Sequence, residues 1–124
     1  MLQPSYVLLY VASAPRSAAF YQDILDCEPV ESAATFALFV TEKGHRFGLW
    51  GRDGVEPAVA PDVQAGCGEV GFPVESRAVV DGLYARWREK GLVILQSPTE
   101  MDFGYTFVAA DPDGHRLRIF SPAI

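Results

Sequence analysis

The chain has 124 residues, 49% of them hydrophobic, which suits one domain (1–124) with enough buried surface to stand without disulfides or metals. Its formal charge of −6 excludes nucleic acid and anionic membrane as expected partners, because both reward a basic face. Cys27 and Cys67 sit in no C-x-x-C and make no disulfide framework, so they read as thiols of a reducing compartment.

The stretch from Tyr6 to Ala14 is apolar and ends in Ala12-Ser13-Ala14, which imitates a signal-peptide cleavage site. No Lys or Arg precedes it and nine residues cannot span a bilayer, so Tyr6 to Val11 is predicted as a strand and the expected location is the cytoplasm. Pro15 then opens a helix carrying Ala18, Ala19, Tyr21 and Leu25, which ends before Pro29. Strands follow near 30–33, 35–41 and 45–51. A Pro- and Gly-rich segment, 52–66, reads as a mobile linker. Glu69 to Val74 is the next strand, and Ser76 caps a second helix with Val79, Val80, Leu83 and Trp87 on one face and Gly91 as its stop. Trp87 at that spacing is expected in the core. The last strands fall near 92–96, 104–110 and 115–121, with Asp111-Pro112-Asp113-Gly114 as a strong turn between the final two.

The same order of elements occurs twice because the sequence repeats itself. Gly44-His45-Arg46-Phe47-Gly48-Leu49-Trp50 matches Gly114-His115-Arg116-Leu117-Arg118-Ile119-Phe120. Thr35-Phe36 is matched to Thr106-Phe107, and Val11 precedes Phe20-Tyr21 by the spacing that separates Val74 from Leu83-Tyr84. Repeat one therefore covers about 5–51 and repeat two about 67–121, each a β-α-β-β-β unit of an α+β fold. The paired histidines, His45 and His115, stand at equivalent points just after the turn glycines, which points to a role in the turn.

A paired β-α-β-β-β unit closed by a D-P-D-G-H turn resembles the vicinal oxygen chelate superfamily of glyoxalases, extradiol dioxygenases and bleomycin-resistance proteins. Val11 to Tyr21, Gly48-Leu49-Trp50 and Thr106 to Arg118 look closest to the phenazine-antibiotic resistance proteins within it. The resemblance implies a cupped mixed sheet with helices on its convex side, and a homodimer. It also implies four metal-ligand positions, which here hold Tyr6, Gly48, Glu69 and Arg118. Glycine offers no donor and arginine brings a cation, so neither a metal nor another cofactor is expected. No Ser-His-Asp or Cys-His spacing and no Gly-rich phosphate loop can be defended, so no catalytic residue is assigned.

Strand alternation then sets the concave face: Tyr6, Leu8 and Tyr10; Arg46, Gly48 and Trp50; Glu69, Gly71 and Pro73; Arg116, Arg118 and Phe120. Trp50 is the expected stacking platform, with room beside it at Gly48, and Glu69 and Arg118 are expected to pair. Tyr6, Tyr10, Phe103 and Tyr105 are expected to wall the pocket, the last two by their position leading into the 104–110 strand. The resulting expectation is a metal-free protein that sequesters a small planar aromatic compound such as a phenazine. The alternatives are a lyase, dioxygenase or Glu69-based isomerase, and an accessory domain with a vestigial cup.

Overall fold

The computed structural model describes residues 1–123 and divides into two compact units, Met1–Val63 and the remainder from Gln64. The first unit runs β1 (Tyr6–Val11), α1 (Ala14–Leu25), β2 (Glu31–Ser32), β3 (Phe36–Val40), β4 (Arg46–Gly51) and a short 3-10 turn at Arg52–Gly54. The second runs β5 (Glu69–Pro73), α2 (Arg77–Glu89), β6 (Val93–Met101), β7 (Gly104–Ala110) and β8 (Arg116–Pro122). Each unit is a four-stranded mixed sheet, ordered β1-β4-β3-β2 in one and β5-β8-β7-β6 in the other. The first strand of each unit pairs parallel with its last, and the remaining pairs are antiparallel. The α+β class and the duplicated β-α-β-β-β order are as expected. Among the described residues no helix is long and apolar enough to cross a membrane.

Local chemistry accounts for the element ends. Ser13 Oγ accepts from the Arg16 N–H at 3.2 Å, with Pro15 in the first turn of α1, and Asp26 closes that helix in the left-handed region. Ser76 Oγ accepts from the Val79 N–H at 3.2 Å, and Gly91, at φ 85°, ends α2 as predicted. The two hairpin turns are copies. In one, Gly44 takes φ 83°, its N–H donates to the Thr41 carbonyl, and Thr41 Oγ1 accepts from the His45 N–H. In the other, Gly114 takes φ 94°, its N–H donates to the Asp111 carbonyl, and Asp111 Oδ1 accepts from the N–H groups of Asp113 and His115. The histidine backbones thus belong to the turns.

One face of each sheet packs on its helix. Ala14, Ser17, Ala18 and Tyr21 are the buried residues of α1, and the Tyr21 ring meets Phe47 edge-on at 4.8 Å. On α2 the buried residues are Val80 and Trp87, and both Tyr84 and Trp87 meet the Phe107 ring edge-on at 5.5 Å. Trp87 is core, but the predicted helix faces need trimming. Ala19 and Val79 are exposed, since the apolar stripe of α2 runs through 80, 84 and 87.

Three further expectations change in detail. Strand β6 extends to Met101, passing Pro98 by register shifts between Ile94 and Thr99, where a run ending at 96 was predicted. The start of the 52–66 segment is tied down, with Val55 buried and Arg52 Nη2 donating to the Ala60 carbonyl at 2.8 Å. The Thr-Phe match is one residue out of step. Phe36 pairs with Trp50 as Thr106 pairs with Phe120, so Phe36, not Thr35, is the equivalent of Thr106.

Candidate functional site

The sheet faces turned away from the helices carry the predicted site residues, and each unit gathers its own set. In the first, register places Tyr6 beside Arg46, Leu8 beside Gly48 and Tyr10 beside Trp50, with Phe36 on the far side of Trp50. Tyr10 and Trp50 meet edge-to-face at 6.2 Å. Tyr6 and Tyr10 are 50% and 40% exposed and Trp50 is half-buried, so an aromatic surface is available. The room expected above Gly48 is not there. A Cβ on Gly48 would lie 2.6 Å from Leu8 Cδ2 and 3.1 Å from Phe36 Cζ, so these two side chains already fill the space. Gly48 works as a packing glycine under an apolar cover.

The second unit forms an open pocket of about 380 Å³, lined by Glu69, Gly71, Phe103, Arg118 and Phe120. At its polar end Arg118 Nε donates to Glu69 Oε1 at 2.6 Å, the pairing the sequence suggested. Arg118 Nη1 donates to Gln96 Oε1 at 3.3 Å and to Thr106 Oγ1 at 3.2 Å. Thr106 is fully buried and its hydroxyl donates in turn to the Ile119 carbonyl at 2.8 Å. Three side chains therefore fix one guanidinium, whose side chain is only 17% exposed. At the apolar end Phe103 and Phe120 meet edge-on at 6.0 Å, and the guanidinium lies 5.4 Å from the Phe103 ring centre, within cation–π range. Gly71 pairs in register with Arg118 and forms the floor.

Tyr105 does not wall this pocket. Thr106 shares a sheet face with Arg118 and Phe120, so alternation sends Tyr105 to the helix side with Phe107. There its hydroxyl donates to Asp81 Oδ1 at 2.7 Å and Arg77 stacks over its ring at 4.0 Å, while Arg77 pairs with Glu100. The bond to Asp81 holds the Tyr105 phenol above its ordinary value of 10.0. Gln96 and Thr106 were missing from the predicted set. Parity counted back from Phe120 would have found Thr106, whereas Gln96 reaches Arg118 through the irregular part of β6, which sequence spacing does not register.

The four ligand positions that the family resemblance implies do not suit a metal here. Glu69 is engaged by a cation, Arg118 is that cation, Gly48 is packed over, and Tyr6 is a lone phenol. Among the described residues no three His, Cys, Asp or Glu side chains gather as a ligand set.

Duplicated β-α-β-β-β units with these turns and this recess define a known class: the chain belongs to the Glyoxalase/Bleomycin resistance protein/Dioxygenase superfamily, whose family model matches residues 3–119. It is 30% identical over 121 residues to the phenazine antibiotic resistance protein EhpR of Enterobacter agglomerans, covering 95% of this chain and 91% of that one. Protein ATC0852 of Agrobacterium tumefaciens, solved by NMR, is 48% identical with a TM-score of 0.90 and full coverage of both chains. A glyoxalase-related enzyme from Fulvimarina pelagi superposes with a TM-score of 0.85 over 98% of this chain and 88% of its own, at 22% identity, a likeness of fold alone.

Proposed function

We propose that this protein binds and sequesters a small planar aromatic compound, of the phenazine kind, without transforming it. The observation that carries the reading is the second-unit pocket, where two phenylalanines face a guanidinium held by Glu69, Gln96 and Thr106. Aromatic walls with a few fixed polar groups are the usual composition of a small-molecule site. The 30% identity to a phenazine resistance protein supports the same ligand class. Sequestration needs only a preformed recess and stoichiometric protein.

Trp50, half-buried beside Tyr10, offers a second aromatic surface. Its fluorescence reports whether a planar ligand reaches it, against a background from the buried Trp87. The test is calorimetric and fluorimetric titration with a phenazine, followed by chromatography of the released ligand. Saturable one-per-chain binding with the ligand recovered unchanged is expected, and Phe103→Ala, which removes an aromatic wall of the pocket, should weaken it by about 1–3 kcal/mol. Conversion of the ligand, or no binding by any planar aromatic, would sink the reading.

The working form is proposed to be a homodimer. Support comes from β1, an edge strand of its sheet whose Tyr6, Val7, Leu8 and Tyr10 are all at least 40% exposed. Apolar edge strands of this kind are normally covered. A monomer by light scattering at micromolar concentration counts against it.

A further inference from the structure

We infer that the pocket of the second unit selects an uncharged head group carrying a hydrogen-bond donor and an acceptor side by side, such as a primary carboxamide, and discriminates against a carboxylate. The inference rests on the proposed aromatic-ligand reading and adds the chemistry of the polar end.

Arg118 has five N–H donors in a fixed plane. Nε is taken by Glu69 and Nη1 by Gln96 and Thr106, and among the described residues nothing accepts from Nη2. Glu69 is in the same condition: Oε1 accepts from Arg118, and no described residue donates to Oε2. The pair lining the pocket thus keeps one acceptor and one pair of donors unengaged by the described residues, with its charges cancelled.

A ligand carboxylate could accept from Nη2 but would bring a second negative charge beside Glu69. A ligand ammonium could reach Oε2 but would face the guanidinium. A carboxamide meets both: its carbonyl accepts from Nη2 and its N–H donates to Oε2, each a hydrogen bond to a charged partner. A site built around such a pair rejects ligands that leave one member unmatched.

The floor is kept low by Gly71, and steric need does not explain it. A Cβ there would meet only Phe120 Cε1, at an ordinary 3.4 Å, and the residue is not among the positive-φ glycines. The backbone therefore accepts a side chain at 71, and a β-branched one suits a strand. What such a side chain would take is the space opposite Arg118 between Glu69 and Phe120.

The experiment is calorimetric titration of the intact protein with phenazine-1-carboxamide, phenazine-1-carboxylate and unsubstituted phenazine at pH 7 and fixed ionic strength. The carboxamide is expected to bind tightest, ahead of the carboxylate by about tenfold or more. In Glu69→Gln the amide oxygen still accepts from Arg118 Nε but the negative charge is gone, so the order of carboxamide and carboxylate should reverse. Gly71→Val should abolish binding of all three with Tm unchanged. If the carboxylate binds the unaltered protein as tightly as the carboxamide, or if Glu69→Gln leaves the order as it was, the head-group inference is wrong while the aromatic-ligand reading stands. If none of the three binds, both fall. Undiminished binding to Gly71→Val would move the site away from this pocket.

Discussion

The two units are the same backbone written twice, yet their helix-averted faces have gone opposite ways. In the first, the register pair is Leu8 on the edge strand beside Gly48 on the neighbouring strand; in the second it is Gly71 on the edge strand beside Arg118. Large and small have changed sides. Leu8 and Phe36 lie over Gly48 and close the first face with hydrocarbon. The equivalent of Phe36 is Thr106, which anchors the guanidinium instead of covering it. Duplication thus supplied two equivalent scaffolds, and exchanges of side-chain volume at three equivalent positions separate a packed face from a recess.

The largest effect that probes this contrast is on stability. Phe47 is buried against Tyr21 and Phe39, so Phe47→Ala should lose about 3–5 kcal/mol in denaturant unfolding. Trp50→Ala, on the averted face and half-buried, should lose clearly less. Equal losses would make Trp50 a core residue. Next come the glycines. Gly48→Ala must push Leu8 and Phe36 aside and should cost about 1–2 kcal/mol, whereas Gly71→Ala, with only an ordinary contact to meet, should stay within about 0.5 kcal/mol. If both cost the same, the closed-versus-open contrast is mistaken.

Tyr105→Phe should be smaller still, and it should leave ligand affinity unchanged because the phenol lies on the helix side. The folded protein holds the Tyr105 proton more tightly than the unfolded chain, through the bond to Asp81. Its stabilisation is therefore complete below the ordinary tyrosine range and disappears as pH climbs through the raised folded value. Ultraviolet titration should show one late-ionising tyrosine that is missing from Tyr105→Phe. No late phase would place the Tyr105 hydroxyl elsewhere. EDTA should have the least effect of all, leaving Tm and ligand affinity as they were, with elemental analysis the matching check; a divalent ion held one per chain would contradict the donor chemistry.

Much of this was legible in the sequence because it is local. Ser13, Ser76, Gly91 and the Thr41–His45 and Asp111–His115 turns act on neighbours within a few residues, and strand alternation from the ligand positions that the family resemblance implies put Glu69 and Arg118 on one face. The errors arose where a non-local count was needed. Nearness to a loop misplaces Tyr105, because its offset from Phe120 across the β7–β8 register decides its side. Gly48 looked like open space because a glycine does not announce what covers it, and Leu8 and Phe36 arrive from other strands. Gln96 depended on shifts within β6 that no composition reveals.

The parallel pairing that supplies the pocket floor also bears on how the second unit assembles. Ala110 and Arg116 are joined through the five-residue turn Asp111 to His115, while Glu69 must find Arg116 across the whole helix and both later strands. Closing the longer loop carries the greater entropic penalty, so the β7–β8 hairpin should zip early and β5 should dock late. Leu117→Ala should then slow refolding, whereas Val70→Ala should mainly speed unfolding. Equal effects on both rates would contradict this order. Because Glu69 and Gly71 ride on the late strand, the recess would open for business only at the end of folding, and a half-made chain would have nowhere to hold its ligand.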